Sequence, residues 1–188
     1  MNVSISIMAH PARRTWVTEL RDQLGPVPVA WDQRNNEWDT GARAWRLHDP
    51  DADWHLVLQD DAILCRNFTD RLHTTLAQAP TGPVSLYIGT GRPRQTQVQR
   101  ALRDADGSIT LPWLLWGVAI ALPVAHIPAM LHACRTGHHE YDRRISRWYE
   151  QQRTPTWYPC PSLVDHRDEG SLLGHDHGTP RRAHALAQ

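Results

Sequence analysis

Trp54-His55-Leu56-Val57-Leu58-Gln59-Asp60-Asp61 is the stretch on which the fold turns. Four of its first five residues are apolar, the composition of a strand covered on both faces in an α/β sheet; a half-solvated strand would alternate. The run stops abruptly at Gln59-Asp60-Asp61. Adjacent carboxylates at the exit of a buried strand lose hydration and repel one another, so a cation or hydrogen-bond donors must hold them. Hard oxygen donors in that position suit Mg2+ or Mn2+, which take their remaining ligands from phosphate and water.

Toward the N-terminus, residues 3–8 alternate Val3, Ile5 and Ile7 with Ser4 and Ser6 and then meet His10-Pro11, a strand that proline does not continue. Trp16, Val17, Leu20 and Leu24 form the stripe of an amphipathic helix over 13–24, stopped by Gly25-Pro26. Residues 27–31 read as a second strand with Asp32 at its exit, and Thr40 as the N-cap of a short helix over 41–47. Strand, helix, strand, helix, strand predicts a parallel sheet with right-handed crossovers, whose ligand sits at the carboxyl ends of the strands. His10, Asp32 and Asp60-Asp61 all fall at those ends.

Downstream, Phe68, Leu72 and Leu76 mark a helix, and 84–89 a strand. Residues 89–106 are polar and Arg-rich and are predicted to be in part a mobile loop, whereas 113–122 read as a central strand in which Gly117 admits a close neighbour. A helix restarted by Pro128 is expected over 124–135, another carrying Tyr141, Ile145, Trp148 and Tyr149, and a last strand at 156–158. After Pro161 the chain turns polar and Gly/His-rich; the expected organisation is one domain over 1–175 and a polar tail over 176–188.

Composition narrows the partners. The 188 residues suit one domain with a real core. Twenty Arg, with no Lys, balance twenty Asp plus Glu, so there is no global attraction to nucleic acid or to an acidic membrane. Apolar runs fall short of the roughly 20 residues of a membrane span, and the N-terminus lacks a basic region ahead of a long apolar stretch, so a cytoplasmic protein is expected. Cys65, Cys134 and Cys160 fit neither a disulfide framework nor a C-x-x-C zinc site. His175-Asp176-His177 with His184 reads as a solvated tail and not as structural zinc. Most of the nine Trp are expected in the core; Trp113 and Trp116 flank Gly117, where an aromatic can also stack on a sugar or base.

Taken together, Met8-Ala9-His10-Pro11-Ala12-Arg13-Arg14, Asp32, Gly41-Ala42-Arg43-Ala44-Trp45, and Leu56-Val57-Leu58-Gln59-Asp60-Asp61-Ala62 resemble a small GT-A fold glycosyltransferase. Pro161-Ser162-Leu163-Val164-Asp165-His166, followed by Gly170-Ser171-Leu172-Leu173-Gly174, is similar to the segment that closes the donor site in many of them. The resemblance implies a single-domain GT-A architecture with a mixed, mostly parallel sheet flanked by helices. It also implies a metal, Mn2+ or Mg2+, bridging the diphosphate of a nucleotide-sugar, with a UDP-sugar as the default donor. Asp61 and His166 would then ligate the metal, and Asp60 would contact ribose or sugar. Asp32, with His10, Arg13, Arg14, Gly41, Arg43 and Gln59, would line the nucleotide-sugar. Gln59 departs from the D-x-D and E-D-D forms of the family signature.

In inverting GT-A enzymes an acid in such a place deprotonates the acceptor hydroxyl, so the resemblance implies Asp142, and after it Glu140, at the start of the amphipathic helix after His138-His139, as the base. If neither reaches the acceptor, a retaining mechanism is left open. The compact chain resembles phage-encoded transferases that glycosylate hydroxymethylated pyrimidines in DNA, and Arg92, Arg94, Arg100, Arg103, Arg143, Arg144 and Arg147 supply local positive charge for such an acceptor. Small-molecule, glycan and protein acceptors stand beside it. Two other classes are a non-catalytic nucleotide- or nucleic-acid-binding module, and a phosphodiesterase, for which a second acidic cluster is missing from the sequence.

Overall fold

The computed structural model of the protein describes residues 1–91, 94–137, 140–167 and 181–188. Its strands are β1 (Val3–Ala9), β2 (Val29–Trp31), β3 (Trp54–Gln59), β4 (Ala62–Leu64), β5 (Val84–Ser85), β6 (Ser108–Leu111), β7 (Ala119–Pro123), β8 (Thr156–Pro159) and β9 (Val164–His166). Its helices are α1 (Arg14–Leu24), α2 (Glu37–Trp45), α3 (Phe68–Gln78), α4 (Gln95–Arg103), α5 (Ile127–Ala133) and α6 (Tyr141–Gln151). Seven strands form one sheet in the order β2-β1-β3-β7-β5-β8-β6, and β4 pairs with β9 in a separate ribbon. In the large sheet β7 runs antiparallel to β3 and β5, and β6 antiparallel to β8; the other strands are parallel. The architecture is therefore mixed α/β, mostly parallel, with helices on both faces.

β3 lies inside this sheet, and its side chains alternate between two cores. Leu56 and Leu58 join Val17 and Leu20 of α1 and Phe68, Leu72 and Leu76 of α3. Val57 points the other way, toward Trp45 of α2, Ile127 and Met130 of α5, and Ile145 of α6. Burial on both faces is what an unbroken apolar run requires. His55, in the same strand, is wholly buried; its ring nitrogens bond Ser4 Oγ (2.8 Å) and Ser6 Oγ (3.0 Å) of β1. Burial lowers its pKa to about 4, so the ring is neutral and serves the core.

Several expectations need correction. α2 begins at Glu37 and not at residue 41: Asn36 is the cap, its side chain accepting from Asp39 N at 2.9 Å, while Thr40 lies inside the helix and bonds back to Asn36 O. The predicted loop over 89–106 contains α4, which buries Val98 among Gln and Arg, too thin a stripe to read as a periodicity. The strand expected over 113–122 begins only at Ala119, so Gly117 lies in the loop before it. Residues 156–158 are not the last strand; β9 follows and returns to β4, with Ala62 opposite His166. Near the C-terminus Ala183 bridges Gly89, Leu186 bridges Ser162, and Ala187 is buried. His138-His139, Arg92, 170–174 and His175-Asp176-His177 lie outside the described residues.

Gly41 sits where α2 meets α6. A Cβ there would overlap the ring of Tyr141, which is wholly buried and has nowhere to move. Overpacking of this kind costs about 2 kcal/mol, roughly 4–8 °C in Tm for a chain of this size. Gly41→Ala is expected to lower the thermal midpoint by that amount, and an unchanged melt would show that the two helices can part freely.

Candidate active site

A cleft of about 1160 Å³ opens along the carboxyl ends of β1, β2 and β3. Of the residues singled out from sequence, His10, Arg13, Asp32, Gln59, Asp60, Asp61, Glu140, Asp142 and His166 line it. Arg14, Gly41 and Arg43 do not. Arg14 stacks over the Trp31 ring at 4.8 Å, Gly41 packs under Tyr141, and Arg43 is spent on Asp39 (3.1 Å) and the Trp31 carbonyl (2.8 Å).

The acidic pair at the end of β3 is buried and held from both sides. His10 N and Arg13 Nη1 donate to Asp60 at 2.7 and 2.8 Å, and the same Nη1 donates to Asp61 Oδ2 at 2.9 Å. The β4–β9 ribbon brings His166 in from the far end of the chain, its Nε2 lying 3.4 Å from Asp61 Oδ2. Burial alone would raise both acids. For Asp61 it is outweighed by the hydrogen bond and charge of His166 and by Arg13, which hold the carboxyl below its ordinary value. For Asp60, burial and the neighbouring Asp61 charge prevail over His10 and Arg13, and its pKa is raised.

Among the described residues, Asp61 Oδ1 and His166 Nδ1 are buried without a partner. Unsatisfied donors and acceptors are rare in a native interior and ask for an explanation. Among the described residues no three His, Cys, Asp or Glu side chains gather as a cage. A carboxylate and an imidazole, one with an open lone pair, fit a Mn2+ or Mg2+ ion that completes its shell with phosphate and water.

A second group of acids faces the cleft from α2 and α6. Asp142, in the first turn of α6, has its pKa pushed up to about 7 by burial and by the nearby charge of Glu37. Gln59 Nε2 donates to Glu37 Oε1 at 3.4 Å, and a Cβ on Gly117 would fall 3.1 Å from the same Nε2 and 3.5 Å from Asp142 Cβ. Only glycine leaves that space open. Glu140 is exposed and paired with Arg143 at 3.2 Å. Asp32 turns onto its own loop, accepting from Arg34 N (3.0 Å) and Asn36 N (3.3 Å). At the rim Arg94 stacks over the Trp113 ring at 3.8 Å. Glu37 carries no motif and becomes readable only once Asn36 is recognised as the cap of α2.

No protein-family model matches the chain, and no curated protein matches it in sequence. Among solved structures it is similar to A197 from STIV, with a TM-score of 0.52 at 10% identity over 100% of this chain and 97% of that one. It is also similar to the catalytic domain of Drosophila beta1,4-galactosyltransferase 7 in complex with xylobiose (TM-score 0.48, 11% identity, 100% of this chain and 77% of that one). A mutant of the Drosophila enzyme in complex with manganese, UDP-Gal and xylobiose gives 0.44 at 12% identity, over 97% and 82%. At such identity the likeness to A197 is one of fold. No helix among the described residues is long and apolar enough to cross a membrane.

A carboxyl titrating near 7 in the folded chain and near 3.8 when unfolded binds its proton more tightly in the native state, so it costs stability as pH rises through that interval. Asp142→Asn is therefore expected to match the unmodified protein in urea unfolding at pH 4 and to exceed it by about 1–3 kcal/mol at pH 8. Equal stability at both pH values would mean that Asp142 is freely hydrated.

Proposed function

We propose that the protein is a metal-dependent glycosyltransferase that moves a sugar from a nucleotide-sugar, a UDP-sugar by default, to an acceptor hydroxyl. The observation that carries this reading is the meeting of Asp61 and His166 with an open, buried carboxylate oxygen, in the same cleft as a carboxyl poised near neutrality. A divalent ion held by Asp61 and His166 would supply positive charge to the departing nucleoside diphosphate. Asp142 takes the proton of the acceptor hydroxyl. A pKa of about 7 gives it both a large ionised fraction at neutral pH and useful basicity. Attack by that hydroxyl on the face opposite the diphosphate inverts the anomeric centre. His10 and Asp32 lie on the donor side, where ribose and base are expected.

The acceptor end is walled by Glu37, Glu140, Asp142 and Glu150. Like charge disfavours a polyanion there, so a neutral hydroxyl compound, a glycan or small molecule, fits best. A hydroxymethylated pyrimidine in phage DNA is the second reading, favoured by Arg94, Arg143, Arg147 and Arg181 on the same cleft, with the base presented away from its phosphates. A mass gain of one hexose or pentose in hydroxymethylated DNA nucleosides separates the two.

Calorimetric titration of UDP is expected to give binding that needs both Mn2+ and Asp61, lost in EDTA and in Asp61→Ala. Asp142→Asn should keep that binding while lowering transfer about 10²–10⁴-fold. UDP binding that ignores metal and Asp61 would return the protein to the class of non-catalytic binding modules.

A further inference from the structure

Among the described residues Arg13 is the one cation bonded to both members of the acidic pair, through a single nitrogen at 2.8 and 2.9 Å. Its position is fixed three times over. It ends the 3-10 turn Pro11–Arg13, capped by His10, whose ring accepts from Ala12 N at 3.2 Å. The backbone of His10 donates to Asp60. The guanidinium also stacks on Trp16 at 4.7 Å, a ring that Arg167 approaches on its own account at 5.3 Å. Arg13 therefore cannot swing into the cleft toward a ligand without giving up its stack and two charge-assisted bonds among side chains that are nearly dry.

The charge balance at this point has a consequence. Two carboxylates carry −2 and Arg13 returns +1, and an imidazole that ligates a metal does so as the uncharged ring. A divalent ion arriving alone meets a net charge of −1, one open oxygen on Asp61 and one imidazole, too little to replace its hydration shell. Anionic ligands brought from outside would complete it.

We propose that Arg13 is the resident counter-cation of Asp60 and Asp61, a positioning residue that keeps Asp61 Oδ1 open and makes divalent-ion binding conditional on further anionic ligands, those of a diphosphate. The inference builds on the donor-site reading above. It differs from a direct phosphate contact by Arg13, because the guanidinium stays on the carboxylates throughout.

The test is a Mn2+ titration without nucleotide, following the free aquo-ion by electron paramagnetic resonance, on the unmodified protein and on Arg13→Met. The unmodified protein should bind Mn2+ weakly. Arg13→Met, with a net charge of −2 at the site, should bind at least about tenfold more tightly, and should gain less from added UDP. Equal or weaker Mn2+ binding by Arg13→Met overturns the proposal, as does tight binding by the unmodified protein. If Arg13→Met does not fold in EDTA, refolding with Mn2+ as the only addition decides the point: recovery supports the counter-cation, and no recovery overturns it. Calorimetry with UDP on the unmodified protein reports on the transferase reading separately. A protein indifferent to UDP whose Arg13→Met variant captures free Mn2+ keeps the role of Arg13 and retires the transferase.

Discussion

Everything at the working end of this protein depends on how two adjacent carboxylates are kept at the end of a strand buried on both faces. β3 cannot stop earlier, since its apolar residues serve both cores, and it cannot deliver Asp60 and Asp61 to bulk water, since β1 and the β4–β9 ribbon flank its exit. The cost of dehydrating them is offset locally by Arg13 and by the His10 amide. That requirement shapes the neighbourhood: the turn after β1 is capped and stacked, and the chain returns from Val164 to His166 with Arg167 N donating to the Asp61 carbonyl at 2.9 Å. A loop, a ribbon and the end of a strand are thus joined through one charge problem.

How far the sequence could be read follows from which signals are local. β1, α1 and β3 are legible because each buries a periodic apolar set, and Asp60-Asp61 because charge directly after such a run is anomalous. His10 falls with that pair at the strand ends, whereas His166 could be connected to it only through a family resemblance, since nothing in the spacing of residues so far apart reports contact. The short pieces stayed hidden. β4 and β9 are three residues each, too few for a period, and α4 rests on Val98. Thr40 and Asn36 are both good caps, so the sequence leaves the start of α2 ambiguous, and the backbone takes the one followed by acids in the first turn. With the cap put at Thr40, Glu37 falls in an expected loop and its place beside Asp142 is not visible.

Asp142 is set by packing more than by hydrogen bonds. The ring of Tyr141 is wedged between Gly41 on α2 and Gly117 before β7, two positions where only the absence of a side chain permits the approach. Burying that ring fixes the first turn of α6, and the adjacent carboxylate is carried to the wall of the cleft near Glu37. Its raised pKa is a consequence of where Tyr141 must go.

The cleft therefore treats its acids in opposite ways. At the end of β3, Arg13 and the contact with His166 hold Asp61 below its ordinary value; at the start of α6, burial and a like charge push Asp142 up to about 7. Environments that drive two carboxylates apart assign them different tasks. Gln59 lies between the groups and is neutral, donating to Glu37 at 3.4 Å, where a third carboxylate would add like charge beside Glu37 and Asp142. A neutral amide at Gln59 thereby keeps the two groups of acids in the cleft electrostatically distinct.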